Sequence, residues 1–230
     1  MSDSGDPDRT AAAAAAVELV EPGMTIGLGS GRAVWKVVEL LGARGGGVRA
    51  TVASSRTDEL ARAAGIELVE LDGSVALDLA LDGADEVDPE LRLIKGGGGA
   101  LLREKIVVSA AARFVVVAEA SKRVSRLGER FRLPVEVVRF GWRDTRRRLG
   151  ELLPDATQRL RDDGEAYVTD EGHFILDCAL PAGAVDLDAL GRAVKQVPGV
   201  VEHGLFVGLA ERALLGRPDG SVEVLERAPG

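Results

Sequence analysis

The chain has 230 residues, of which 46% are hydrophobic, and its formal net charge is −8. This length suits one large domain, or a domain with a smaller companion, and the composition supports a sizeable buried core. The net negative charge argues against a general binder of nucleic acid or of anionic membranes.

The first half of the chain alternates predicted helices and strands. An alanine-rich segment predicts a helix over 9–21, and Pro22-Gly23 ends it. Strands separated by helices of this length predict right-handed crossovers and a mainly parallel sheet. The predicted strands are 24–28, 48–53, 66–71, 77–81, 91–94 and 114–118, and the predicted helices between them include 33–41 and 56–64.

The pattern changes near residue 133. Further strands are predicted at 135–138, 157–160, 167–169, 174–180 and 200–203, with helices at 145–153 and 187–197. This βαββαβ-like order predicts a small α+β, ferredoxin-like domain. Segments 205–209 and 222–225 are expected to return to the first domain. The predicted fold is therefore α/β, with a mainly parallel open sheet and helices on both faces in 1–131 plus 205–230, and a smaller α+β domain in 132–204.

Cysteine usage and hydropathy indicate the compartment. Cys178 is the single cysteine, so an internal disulfide is impossible and a reducing cytoplasm fits the chain. Asp3 and Asp6 stand where a signal peptide would carry cations. Apolar stretches are too short to span a bilayer. We therefore expect a cytoplasmic protein.

A glycine turn follows the strand predicted at 24–28. Gly29-Ser30-Gly31-Arg32 precedes a helix, and free N–H groups at such a helix start bind anions. A dinucleotide fingerprint would read GxGxxG, with an acidic residue about 20 positions on. Here the spacing is GxGxG, and the next strand runs into Ser54-Ser55. The turn favours a small phosphate over a nucleotide, and a purely structural turn stays open.

Charged residues of segment 77–118 lie at predicted strand ends and on the predicted helix that follows. They are Asp82, Asp85, Lys95 and Glu104, with four glycines at 96–99. Open α/β sheets place ligands at such strand ends. A carboxylate base with an ammonium and backbone donors suits proton abstraction next to a carbonyl. The alternative is that Glu104 and its charged neighbours form a solvated helix face.

The sequence shows none of the common metal-ligand spacings. It contains no HxxE-, HxH- or CxxC-type spacing. His173 lies in a predicted turn and His203 near a predicted strand end, and we expect each to be a surface or packing residue. We therefore predict no metal ligands.

Several blocks together resemble the ribose-5-phosphate isomerase family, type A. These are DGADEVD at 82–88, KGGGGALLREKIV at 95–107 and EASK at 119–122, with GLGSG at 27–31 and SSRTDELA at 54–61 upstream. The resemblance implies an aldose–ketose isomerase that interconverts ribose 5-phosphate and ribulose 5-phosphate in the pentose phosphate pathway, without metal or cofactor. It also implies a sugar phosphate as partner, no nucleic acid or membrane, and a homodimer or homotetramer.

The resemblance also implies roles for individual residues. Glu104 matches the catalytic base, and Asp82 and Asp85 match aspartates that handle sugar-oxygen protons and ring opening. Lys95 matches an oxygen-binding lysine that precedes the glycine loop. The implied substrate-binding residues are Ser30, Gly31, Arg32, Ala33, Gly83, Ala84, Gly96, Gly97, Gly98 and Lys122.

Three positions depart from the family pattern. The loop GTGST or GSGST is here GSGRA, so Ala33 lacks a hydroxyl and one phosphate hydrogen bond; Arg32 either replaces it with a charge-assisted bond or points to solvent. The aspartate before the SK pair is Glu119, and a lysine near the N-terminus is Arg9. Two other classes stay open: a related sugar-phosphate enzyme or acyl-CoA transferase, and a non-catalytic sugar-phosphate sensor.

Overall fold

The computed structural model describes residues 7–227 of the chain. The helices of this part are α1 (Pro7–Val17), α2 (Arg32–Arg44), α3 (Ser55–Ala63), α4 (Leu101–Ala110), α5 (Trp142–Leu149) and α6 (Leu187–Lys195). Its strands are β1 (Thr25–Leu28), β2 (Arg49–Val52), β3 (Glu67–Leu68), β4 (Leu79–Asp82), β5 (Glu86–Val87), β6 (Leu93–Ile94), β7 (Phe114–Glu119), β8 (Leu133–Val137), β9 (Thr157–Gln158), β10 (Phe174–Cys178), β11 (Val200–His203), β12 (Leu205–Phe206), β13 (Arg212–Gly216) and β14 (Val222–Glu226).

The main sheet has seven strands in the order β14-β13-β7-β4-β1-β2-β3. Its neighbours are parallel except for the edge pair β13–β14. Because successive side chains of a strand point to opposite faces, Val115 and Val117 of β7 pack in the core cluster of α1 and α2. Val116 and Ala118 pack in a second cluster with Val108 of α4. Both faces are thus covered by helices, as predicted.

A second sheet has the order β11-β8-β10-β9, and its strands are antiparallel. With α5 and α6 it follows the predicted βαββαβ order along the chain. Its own buried cluster includes Val135, Leu176 and Val194. The division of the chain into two domains with the stated boundaries stays a prediction.

Several predicted elements were wrong in extent or in type. Helix α1 begins at Pro7, a residue suited to the first helical position, and ends at Val17 instead of residue 21. Leu91 has a φ of 58°, so the strand predicted at 91–94 is confined to β6. Segment 167–169 forms an isolated bridge from Val168 to Phe174 instead of a strand.

The segments expected to return to the first domain, 205–209 and 222–225, connect to strands within residues 1–131. Strand β12, within segment 205–209, pairs with β6 in a three-stranded sheet with β5. Strand β14, predicted at 222–225, joins the main sheet through β13. Strand β13 was not predicted, because its apolar run spans only three residues before Gly216. No helix within 7–227 is long and apolar enough to cross a membrane. Asp3 and Asp6 lie outside the described residues.

Candidate active site

Strands β7, β4 and β1 are neighbours, and their carboxyl ends meet at one edge of the main sheet. A cleft of about 240 Å³ opens there. Its lining residues are Ser30, Gly31, Arg32, Ala33, Trp35, Gly83, Ala84, Asp85, Lys95, Gly96, Gly97, Gly98, Glu104, Val117, Ala118, Glu119 and Lys122. Every predicted site residue except Asp82 is in this lining, and Asp82 contacts Lys95 directly behind it.

A buried ammonium joins two buried carboxylates at the centre of the cleft. The Nζ atom of Lys95 lies 2.9 Å from Oδ2 of Asp82 and 3.4 Å from Oε2 of Glu104. It also donates to the carbonyl oxygen of Gly83 at 2.7 Å. Asp82 ends β4, Lys95 follows β6, and Glu104 lies in the first turn of α4. The alternative of a solvated helix face was wrong for Glu104, which is 5% exposed.

This arrangement shifts the pKa values of the three groups. Burial raises the pKa of Asp82, and Lys95 offsets this in part. Burial and then the charge of Asp82 raise the pKa of Glu104 to about 8, against the opposing effect of Lys95. Burial alone would lower the pKa of Lys95, but the negative charges of Asp82 and Glu104 outweigh it and raise that pKa. Glu104 can therefore both accept and release a proton near neutral pH, which suits a general base.

Asp85 and the glycine loop form the next wall of the cleft. The N–H of Gly97 donates to Oδ2 of Asp85 at 2.7 Å. A β-carbon at position 97 would lie 2.6 Å from Oδ1 of Asp85, so the approach requires glycine. Gly96 has a φ of 107°, a left-handed conformation that other residues rarely adopt. The loop thus brings bare backbone to the predicted acid–base groups.

The glycine turn after β1 forms the other end of the cleft. Helix α2 begins at Arg32, one residue earlier than predicted. Its first two residues, Arg32 and Ala33, line the cleft. The hydroxyl of Ser30 lies 3.0 Å from that of Ser54. Lys122 follows β7 in a short 3-10 helix and lines the same end. A helix N-terminus, an arginine and a lysine together favour a dianionic group here.

Two departures from the family pattern meet in one ion pair. Nη2 of Arg9 lies 2.6 Å from Oε1 of Glu119, and Nε of the same side chain lies 3.1 Å from it. Both side chains are largely buried, with exposed fractions of 7% and 14%. Arg9 therefore compensates the charge of Glu119 beside the cationic end of the cleft.

Sequence reasoning did not identify several residues of this site. Trp35 lines the cleft one turn into α2, and its indole Nε1 donates to Oγ1 of Thr57 at 3.2 Å. Its spacing from Gly31 could have indicated this position. Arg159 and Tyr167 contact the glycine loop from beyond residue 133, and no sequence signal connects such distant segments.

Comparisons with known proteins show the family to which the chain is similar. The family model described as ribose 5-phosphate isomerase A (phosphoriboisomerase A) matches residues 49–220. The chain is also 52% identical over 221 residues to the ribose-5-phosphate isomerase A of Roseiflexus castenholzii, covering 94% of each chain. The chain belongs to this isomerase family. The predicted resemblance is thereby confirmed.

Solved structures of the family share the whole fold. Ribose 5-phosphate isomerase A from Methanocaldococcus jannaschii has a TM-score of 0.89 and 38% identity, and the match covers 95% of this chain and 97% of that one. A D-ribose-5-phosphate isomerase in complex with phospho-erythronic acid has a TM-score of 0.89 and 34% identity, with the same coverage. The α/β fold class is thus confirmed by family members as well as by the strand order.

Proposed function

We propose that the chain interconverts D-ribose 5-phosphate and D-ribulose 5-phosphate through an enediolate, with Glu104 as the general base. The observation that carries this proposal is the buried cluster of Glu104, Lys95 and Asp82 in a cleft whose far end is cationic. Family membership supports it, as does the relative whose structure holds phospho-erythronic acid, a phosphorylated sugar acid.

The proposed reaction moves one proton between neighbouring carbons. Glu104 removes the proton at C2 of the open-chain aldose, and the carbonyl oxygen at C1 gains negative charge as the enediolate forms. Lys95 and the glycine-loop amides stabilise that oxygen. Return of the proton to C1 gives the ketose, with oxygen protons handled by Asp82 and Asp85. A general base contributes about 10²–10⁴ and one oxyanion donor about 10²–10³ to the rate, so both belong in one site.

The reaction is tested with the purified chain and ribose 5-phosphate in heavy water containing a chelator, followed by NMR. We expect ribulose 5-phosphate to form and deuterium to enter the sugar. Binding without exchange would instead indicate the sugar-phosphate sensor. Loss of activity in chelator, with recovery after a divalent ion is added, would contradict the metal-free mechanism.

Lys122 provides a test of the phosphate end. Replacing Lys122 by Ala should raise KM by about 10-fold or more with a smaller change in kcat, because a hydrogen bond to a charged group contributes about 1.5–3 kcal/mol. Lys36→Ala is the control, since Lys36 lies on α2 and pairs with Glu39 at 2.8 Å outside the lining. Equal turnover of unphosphorylated ribose would contradict the assignment.

The remaining expectations stay predictions. They are a cytoplasmic location, a homodimer or homotetramer, the absence of a cofactor, and no binding of nucleic acid or membrane. Residues 7–227 hold no group of three or more His, Cys, Asp or Glu side chains placed to bind a metal ion.

A further inference from the structure

The carbonyl oxygens of the glycine loop accept hydrogen bonds from two side chains outside the lining of the cleft. Nη1 of Arg159 donates to the oxygen of Gly96 at 2.7 Å and to that of Gly97 at 3.0 Å. The hydroxyl of Tyr167 donates to the oxygen of Gly98 at 2.9 Å. Three consecutive carbonyls of the loop are therefore held from the side of the second sheet.

These carbonyl contacts fix the direction of the loop amides. The peptide bonds of residues 7–227 are trans, and in a trans peptide the C=O and the following N–H point in opposite directions. Arg159 holds the oxygen of Gly96, and the N–H of Gly97 accordingly donates to Asp85 at 2.7 Å on the opposite side.

The next peptide unit follows the same rule. Arg159 holds the oxygen of Gly97, so the N–H of Gly98 points away from Arg159. Gly98 lines the cleft, and its N–H has no acceptor within residues 7–227. It is therefore a donor that is open to a substrate oxygen.

Arg159 is itself held in place. Its Nε lies 2.9 Å from Oδ2 of Asp177 and its Nη2 lies 2.5 Å from Oδ1, a two-point contact that fixes the plane of the guanidinium. Both side chains are largely buried, with exposed fractions of 13% and 20%. One edge of the guanidinium, Nε and Nη2, bonds Asp177, while Nη1 donates to two carbonyl oxygens. A lysine ammonium cannot reproduce this planar arrangement of donors.

We propose that Arg159 is a positioning residue of the isomerase, which acts through the glycine loop and touches no substrate. It aims the N–H of Gly98 at the oxygen that becomes negative in the enediolate, and it aims the N–H of Gly97 at Asp85. The inference rests on the proposed function, because it assigns the loop amide to that oxyanion. Asp177 orients Arg159, and Tyr167 holds the third carbonyl.

The test compares Arg159→Met with wild type in ribose 5-phosphate kinetics and in amide hydrogen exchange of the loop. We expect kcat to fall about 10–100-fold, since a correctly placed oxyanion donor contributes about 10²–10³. We expect KM to stay within about threefold, because the phosphate contacts are untouched. The loop peptide 96–99 should exchange faster. Arg132→Met is the matched control, because Arg132 contacts the main-chain oxygen of Asp177 without contacting the loop.

A second variant keeps the test decisive if Arg159→Met does not fold. Tyr167→Phe removes one hydroxyl that bonds the Gly98 oxygen, and we expect kcat to fall about threefold or more with KM unchanged. An unchanged kcat, or a raised KM alone, would overturn the positioning role even with a faster-exchanging loop. A wild-type chain that does not isomerise the sugar contradicts the proposed function instead, and loop exchange then still decides whether Arg159 holds the loop.

Discussion

Replacement of Glu104 by Gln should lower kcat for ribose 5-phosphate isomerisation by about 10² or more. Gln keeps the shape of the side chain and removes the proton acceptor. The substrate should still bind, because the cationic end of the cleft is unchanged. The measurement is the isomerisation rate of the variant beside a binding titration with the same sugar phosphate.

A control separates loss of the base from loss of a buried acid. Glu136 is also buried, but it bonds Thr169 at 2.9 Å, away from the cleft lining. Glu136→Gln should therefore keep normal turnover. Near-normal turnover of the Glu104 variant would contradict its role as the base and leave one of the aspartates in that role.

The Glu104→Gln variant should also change the dependence of folding stability on pH. Burial and Asp82 raise the pKa of Glu104 from 4.5 to about 8. Between these values the folded chain keeps a proton that the unfolded chain has lost, so this group lowers stability as pH rises through that window. Gln carries no such penalty. The melting temperature of the variant relative to wild type should therefore increase from pH 5 to pH 9.

Replacement of Lys95 by Met should produce the largest loss of stability. The ammonium is 2% exposed and lies between Asp82 and Glu104, so its removal leaves the charge of Asp82, and that of Glu104 when it is ionised, buried without compensation. Breaking a buried ion pair on one side costs about 3–5 kcal/mol of unfolding free energy. We also expect kcat to fall by about 10² or more, because Lys95 stabilises the developing oxyanion. Chemical denaturation and steady-state kinetics measure the two effects.

Two further measurements identify the cause of that instability. The loss should shrink as pH falls, because protonation removes the uncompensated charge of Asp82. The double variant Lys95→Met, Asp82→Asn should recover much of the unfolding free energy but not the activity. A single variant as stable as wild type at neutral pH would refute this account of the buried cluster.

The elements that could be predicted are those whose burial produces a clear apolar pattern in the sequence. Segment 114–118 is a continuous apolar run, and segment 77–81 is apolar except for Asp78, because both faces of the main sheet are covered. Strand β13 escaped prediction because its apolar run spans only three residues before Gly216, and β5 escaped it because it has only two residues. Such short strands form only because neighbouring strands provide hydrogen-bond partners.

The candidate site was predictable where charged residues or glycines directly follow a predicted strand. Asp82 and the glycine loop carry that signal within the sequence itself. The burial of Glu104 could not be derived locally, because Arg103 and Lys105 on either side make the helix look solvated. Arg103 pairs with Glu171, while Lys105 reaches Glu202 at 2.9 Å, so each flanking charge has a distant partner. Those partners, like Arg159, are set by tertiary contacts.

The ion pair between Arg9 and Glu119 couples the side-chain lengths at its two positions. The family pattern resembled by this chain has a lysine and an aspartate at these positions, and here both side chains are different. Shortening Glu119 to Asp alone would withdraw the carboxylate by about one carbon–carbon bond, roughly 1.5 Å, from a guanidinium that is 2.6 Å away. The reach of the side chain at position 119 is therefore matched to that of the side chain at position 9, although the two residues lie 110 positions apart in the chain.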